Sequence, residues 1–234
     1  MKYRYEQKYL LNALSSARLK SVFGAVLERD NSAGSAMPYT VRSLYFDDAR
    51  NTDYFAKFAG LSERKKYRLR YYNGNDSFIR FEKKRKSGLR AYKRQAEVSR
   101  RQAEAMVRKE FGLFADAGSS LLREAFLYDR QHALSPAVIC QYRREAFVYP
   151  VSNVRVTFDA ELKTGLSSTD FFSQSMCLVP AAAAGQVILE VKYDEFLPEF
   201  IQNMLVGPDV AWLSVSKYEQ CRKFIQYNSW EVLT

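Results

Sequence analysis

The sequence predicts an α+β fold built on an eight-stranded antiparallel β-barrel with peripheral helices. Three observations carry that prediction. Strand-like alternation recurs about eight times, helical spacing is confined to short stretches between those segments, and within several strands the charged residues keep to one parity while the apolar residues keep to the other. Because successive strand side chains point to opposite faces, each such strand has one ionic and one apolar side. Aromatic residues make up 15% of the chain, which suits pleated surfaces.

The strands are expected at Tyr3–Leu10, Thr40–Asp47, Lys65–Tyr72, Ser77–Lys84, Leu89–Val98, Val138–Tyr149, Arg155–Leu162 and Gln186–Lys192. The run Asn73-Gly74-Asn75-Asp76 has the composition of a hairpin turn, and Lys86-Ser87-Gly88 is expected to close the next hairpin. Helical spacing appears at Ser15–Leu27, where Leu19, Val22, Phe23, Val26 and Leu27 share a face. It appears again after Ser99, where Ser99 and Gln102 form a capping-box pattern and Gly112 is expected to end the helix. Further helices are expected at Ser119–Gln131, at Pro198–Leu205 and at Ser216–Tyr227, the last with Ser216 and Glu219 as cap and box. Met176–Gly185 is expected to be a mobile loop. A chain of 234 residues without a Gly-, Pro- or Ser-rich linker is expected to form one domain over residues 1–234.

Arg68 and Arg70 alternate with Tyr67, Leu69 and Tyr71, and Lys66 precedes them on the same parity. Arg80, Glu82, Lys84 and Lys86 alternate with Ile79 and Phe81. Arg155, Thr157, Asp159 and Glu161 oppose Val156, Phe158, Ala160 and Leu162. Glu190 and Lys192, and Arg4, Glu6 and Lys8, repeat the arrangement. On any single strand such a face is ordinarily just the solvated side of a sheet. Repeated over many strands, and dominated by Arg and Lys with a carboxylate two residues away, it implies a wet interior lined with charge. Such a lining calls for anionic ligands and metal to balance it.

The chemistry suits phosphate. With 36 Lys and Arg against 26 Asp and Glu, the net charge of +10 attracts polyanions. Arginine forks grip paired phosphate oxygens, lysine supplies a point charge, and carboxylates hold Mg²⁺ or Mn²⁺ through oxygen. Neither G-x-x-x-x-G-K-[ST] nor G-x-G-x-x-G occurs, so the P-loop and dinucleotide-binding solutions are excluded. Cys140, Cys177 and Cys221 form no CxxC pair and are expected to be ordinary buried thiols. His132, the one histidine, rules out a histidine-rich metal cluster and is expected to be structural. No stretch approaches the roughly 20 apolar residues of a membrane span. The charges within Met1–Leu11 are unlike a signal peptide, so a cytoplasmic location is expected.

These segments resemble the catalytic domain of the vacuolar transporter chaperone (VTC) polyphosphate polymerases, within the triphosphate tunnel metalloenzymes. The resemblance runs over nearly the whole chain. It is carried by Arg4-Tyr5-Glu6-Gln7-Lys8-Tyr9, Ser43-Leu44-Tyr45-Phe46-Asp47, Tyr67-Arg68-Leu69-Arg70, Phe81-Glu82-Lys83-Lys84, Tyr142-Arg143-Arg144-Glu145-Ala146-Phe147, Arg155-Val156-Thr157-Phe158-Asp159, Leu189-Glu190-Val191-Lys192 and Ser216-Lys217-Tyr218. It implies a tunnel in which Lys8, Arg68, Arg70, Lys84, Arg144 and Arg155 are phosphate ligands and Glu190 holds the metal, Mn²⁺ or Mg²⁺. Arg68, Arg70, Lys84 and Glu190 would be catalytic. Lys93, in preference to Arg94, should add another basic group, and Ser216 and Lys217 match a phosphate contact at a helix start.

The activity implied is transfer of the γ-phosphate of ATP to a growing polyphosphate chain. A hydrolase of tripolyphosphate or nucleoside triphosphates is the alternative, with Glu6, Glu82, Asp159 and Glu161 as its acidic groups. A binding barrel without catalysis, for polyphosphate or nucleic acid, is the third reading. It is weakened for nucleic acid because the aromatic residues fall mostly on the parity opposite the Arg and Lys. The hydrolase relatives open with ExExK, where this chain has only Tyr5-Glu6-Gln7-Lys8. The resemblance leaves open a membrane-protein partner, because eukaryotic polymerases carry membrane helices that are not seen in this sequence.

Overall fold

A computed structural model describes residues 3–30, 38–207 and 210–227. The eight long strands are β1 (Arg4–Leu11), β3 (Tyr39–Asp47), β4 (Glu63–Tyr72), β5 (Asn75–Ser87), β6 (Arg90–Val98), β7 (Ser135–Tyr149), β8 (Val154–Thr164) and β10 (Val187–Tyr193). Three two-residue strands complete the sheet: β2 (Glu28–Arg29), β9 (Val179–Pro180) and β11 (Ala211–Trp212). Around them lie α1 (Ala13–Val26), α2 (Thr52–Phe58), α3 (Arg100–Val107), α4 (Ser120–His132), α5 (Glu199–Met204) and α6 (Lys217–Tyr227). The long strands follow one another antiparallel in the order β7-β3-β4-β5-β6-β1-β10-β8. Strand β8 pairs back onto β7 and closes the barrel.

Closure removes the free edges that a sheet this size would otherwise expose. The seam between β6 and β1 is narrow, with Arg4 opposite Ala91 and Tyr5 opposite Arg90. Further along, β11 occupies the edge of β1, and the Leu213 amide donates to the Lys8 carbonyl at 3.0 Å.

Helices cover the apolar parity. Leu44, Phe46, Tyr67, Leu69, Phe81 and their neighbours on β3–β6 pack beneath α3 and α4 with Met106, Phe111 and Leu122. On the opposite wall Val156, Phe158, Leu189 and Val191 pack beneath α1 and α5 with Leu19, Phe23 and Ile201. A third cluster joins Tyr45, Val138, Cys140 and Leu162 to Tyr218 and Cys221 of α6. The first two clusters bury the apolar sides outside the barrel, so the ionic sides converge on its bore; the third lies on the inner parity, where its Tyr39, Tyr45 and Tyr142 line the cavity.

Local signals explain most boundaries. Asn73 and Gly74, both with positive φ (52° and 70°), form the two-residue turn joining Tyr72 to its partner Asn75. That makes β5 longer than the expected Ser77–Lys84. Helix α1 starts at Asn12, whose side chain accepts the Ser15 amide at 2.8 Å. The Ser99–Gln102 capping box is formed in both directions, but α3 ends at Val107. Gly112 sits instead in a 3₁₀ turn, Phe111–Phe114. Part of the segment expected to be a mobile loop is tied down, because Val179 and Pro180 pair with Thr164 and Lys163.

Two further expectations are corrected. Cys177 is exposed, whereas Cys140 and Cys221 are buried. Glu161 lies outside the bore. It takes φ of 54°, the register with β7 shifts nearby, and parity inverts beyond it, so that Leu162 turns inward and Glu161 pairs with Arg143 on the outer surface (3.2 Å).

Candidate functional site

The bore is a cavity of about 620 Å³ lined by fifteen Lys and Arg residues and two glutamates, Glu6 and Glu190. All ten residues singled out from the sequence line it: Lys8, Arg68, Arg70, Lys84, Lys93, Arg144, Arg155, Glu190, Ser216 and Lys217. Lys93 faces the bore with Nζ 3.3 Å from Glu82, whereas Arg94 turns outward to Glu124 and Ser120.

The register of β4 and β5 governs the electrostatics of one wall. On their inner face Arg64 stands opposite Lys86, Lys66 opposite Lys84, Arg68 opposite Glu82, and Arg70 opposite Arg80. Like charges directly opposite on antiparallel strands are destabilising, and here three of four facing pairs are of one sign. Only Arg68 has a carboxylate as its directly facing partner, with Nε 2.7 Å from Glu82, and Arg70 reaches the same carboxylate diagonally at 3.9 Å. The hydrogen bonds of Arg70 go to neutral groups, Ser43 Oγ and the Tyr142 hydroxyl, each at 3.0 Å.

The opposite wall carries a lysine–carboxylate cluster. Glu6 and Lys192 face each other across β1 and β10, as do Lys8 and Glu190. Lys8 Nζ lies 3.5 Å from Glu6 and 3.6 Å from Glu190. Lys84 reaches the same two carboxylates at 2.7 and 3.9 Å, and Lys192 at 3.8 and 3.5 Å. Burial and the neighbouring Glu190 work against the charge of Glu6, but the three lysines outweigh them and bring its pKa down to about 2. Burial likewise opposes the charge of Glu190, and Lys192, Lys8 and Lys84 hold its carboxyl well below the usual range. For Lys192 burial wins, pulling the ammonium down to about 7 despite Glu190 and Glu6.

Farther along, Asp159 takes two hydrogen bonds from Arg144 (2.6 and 2.7 Å) and an ion pair with Lys217 (2.6 Å). Arg155 is held by Asp30 at 2.6 Å and by the Tyr39 hydroxyl at 3.2 Å.

One end of the bore is closed by the segment leading into α6. Lys8 Nζ donates to the Val215 carbonyl at 3.1 Å, and Lys66 Nζ to Ser216 Oγ at 2.7 Å. The Tyr218 hydroxyl bonds to Asp47, and its ring packs against Tyr45 and Tyr54. Ser216 Oγ also accepts the Glu219 amide at 3.3 Å, as expected of a helix cap.

Lys66, Arg80 and Lys192 also line the bore but were not among the residues singled out. The signal for them was present, since each shares parity with a residue that was.

Among the described residues no three Asp, Glu, His or Cys side chains gather into a metal-ligand set. Glu6 and Glu190, two carboxylates sharing three lysines, instead fit a divalent ion that brings further oxygen ligands with it, the usual habit of Mg²⁺ beside phosphates. No helix among the described residues is long and apolar enough to cross a membrane.

No curated protein matches this sequence. Among solved structures, a protein described as a putative adenylate cyclase from Bacillus halodurans is similar in fold. It has a TM-score of 0.53 and 14% identity, over 92% of this chain and 96% of that one. A protein of Pyrococcus horikoshii aligns over 95% of this chain and 99% of its own at 14% identity and a TM-score of 0.49. The sequence profile of the VTC domain family matches residues 3–226. The chain belongs to the VTC domain family, and its barrel is a triphosphate-tunnel fold.

Proposed function

We propose that the bore binds a nucleoside triphosphate together with a polyphosphate chain and transfers the terminal phosphoryl group of the first to the second. The observation that carries this reading is the set of facing cations on β4 and β5: Arg64 with Lys86, Lys66 with Lys84, and Arg70 with Arg80. A barrel that kept these positions for stability alone would do better with neutral or opposite charges. An anion lying between the strands turns each repelling pair into a clamp.

Transfer to phosphate asks little of the protein in acid–base chemistry. A terminal phosphate is already ionised at neutral pH, so the work is alignment and neutralisation of two mutually repelling anions. Arg68, Arg70, Lys84 and Glu190 take the catalytic positions in this reading. Lys8, Lys93, Arg144, Arg155, Ser216 and Lys217 contribute phosphate-holding groups. A divalent cation, Mg²⁺ or Mn²⁺, held by Glu190 and Glu6 with phosphate oxygens, would supply further charge neutralisation. Hydrolysis needs a carboxylate able to orient or deprotonate water. Glu6, Glu82, Asp159 and Glu190 are each tied to Lys or Arg and stay ionised, which makes them weak bases. For nucleic acid, Tyr67, Tyr71 and Phe81 lie buried under helices and cannot stack on bases, which leaves that role to aromatic residues of the bore itself, such as Tyr72 and Phe78.

The test is incubation with ATP and Mn²⁺, followed by separation of products by chain length. Chains longer than triphosphate should accumulate with ADP, and Glu190→Ala should abolish them. ADP with orthophosphate alone would defeat the polymerase reading in favour of a tunnel hydrolase.

A further inference from the structure

The two ends of the β4–β5 ladder differ in chemistry. At one end the facing pair Arg64 and Lys86 offers charge. At the hairpin end the bore is lined by Tyr72, Phe78 and Arg80 with the turn residues Asn73 and Asn75. The Arg80 guanidinium lies 4.6 Å from the centroid of the Phe78 ring and 6.0 Å from that of Tyr72. Tyr72 in turn meets Tyr39 edge-on at 6.0 Å. Arg80 makes no ion pair among the described residues, although Glu97 is its register partner on β6. Phe78 lines the cavity yet is 37% exposed.

A phosphate chain has no use for an exposed aromatic ring. A nucleobase does, since it stacks on such rings, lies under a guanidinium, and presents polar edges to amides. Asn73 and Asn75 spend their side-chain oxygens on the backbone amides of Thr40 and Ser77, each at 2.9 Å. Those bonds do not use the NH₂ groups, which stay available to acceptors on a base edge.

We propose that the hairpin end of the bore is a nucleobase site, with Phe78 as the stacking surface and Arg80 as the link between base and triphosphate. This rests on the reading that the bore takes a nucleoside triphosphate. It adds a direction: the triphosphate runs from Arg80 and Arg70 toward Lys84 and Lys66.

Binding of ATP and of inorganic tripolyphosphate, measured by calorimetry with Mg²⁺, tests the site, because only ATP carries a base. Phe78→Ala should weaken ATP binding roughly tenfold, the scale of one lost base stack. It should leave tripolyphosphate binding unchanged, and Phe78→Trp should restore ATP affinity. Equal loss for both ligands, or no loss for ATP, would overturn the nucleobase site. So would an unaltered protein that binds tripolyphosphate but not ATP, although the anion-binding bore would survive. Binding of neither ligand by the unaltered protein would remove the bore's proposed role and the base site with it.

Discussion

Arg144 and Asp159 stand opposite each other on β7 and β8, joined by two hydrogen bonds of 2.6 and 2.7 Å, and Lys217 reaches the same carboxylate from the start of α6. The carboxylate thus ties two wall strands to the helix that closes one end of the bore. Burial opposes its charge, but Arg144 and Lys217 outweigh that and bring its pKa down to about 2.

A group with a depressed pKa stabilises the fold above its unfolded value and loses that contribution as pH falls through the folded one. For Asp159 the window runs from the ordinary 3.8 down to about 2. Asp159→Asn should leave two buried cations without an anion and destabilise the protein by about 3–5 kcal/mol at neutral pH. It should also flatten the acid limb of a plot of Tm against pH, and an unchanged acid limb would contradict the assignment.

Asp53 behaves in the opposite sense. It is buried in the first turn of α2, and burial together with Asp47 raises its pKa to about 7. The folded protein therefore holds this proton more tightly than the unfolded chain, and stability falls as pH rises from the ordinary 3.8 to about 7. Asp53→Asn should raise Tm at a pH above 7, with the gain vanishing in mild acid. A gain independent of pH would show that the carboxyl is not the cause.

Lys86 faces Arg64 across the β4–β5 ladder and is partly exposed. Relief of one such pair is worth about 0.2–1 kcal/mol. Lys86→Gln should therefore raise Tm by about 1–3 °C at low ionic strength. The gain should fade as salt screens the repulsion, and tripolyphosphate binding should weaken. A lower Tm would mean that the facing cations are not in conflict in the free protein.

Most of the barrel was legible because period-2 alternation survives wherever one face of a strand is buried and the other charged. Lys66, Arg68 and Arg70 on β4, and Glu82, Lys84 and Lys86 on β5, announced the inner face before any pairing was known. What alternation could not report was which charge meets which. That Lys8, Lys84 and Lys192 share Glu6 and Glu190 depends on the β1–β10 register and on barrel closure, both long-range. Glu161 was placed inside because alternation carries no sign of a bulge, and a non-glycine residue at positive φ leaves no mark in sequence. Helix α2 was missed because its seven residues are too few to show a helical repeat. Its start is fixed by Asp47 and Asp48, whose carboxylates accept the amides of Thr52, Asp53 and Tyr54 at 2.9–3.0 Å. Ser216 and Lys217 could be placed by resemblance, but their contacts with Lys66 and Asp159 required the fold.

The claim on which the rest depends is that the inward-facing cations exist to hold a chain of phosphates. A crystal soaked with tripolyphosphate and Mn²⁺ tests it most directly. Phosphate density should run between Arg70, Arg80, Lys84 and Lys66, with the metal between a phosphate oxygen and Glu190. A bore without phosphate, with anions scattered over the outer surface at comparable occupancy, would contradict the account.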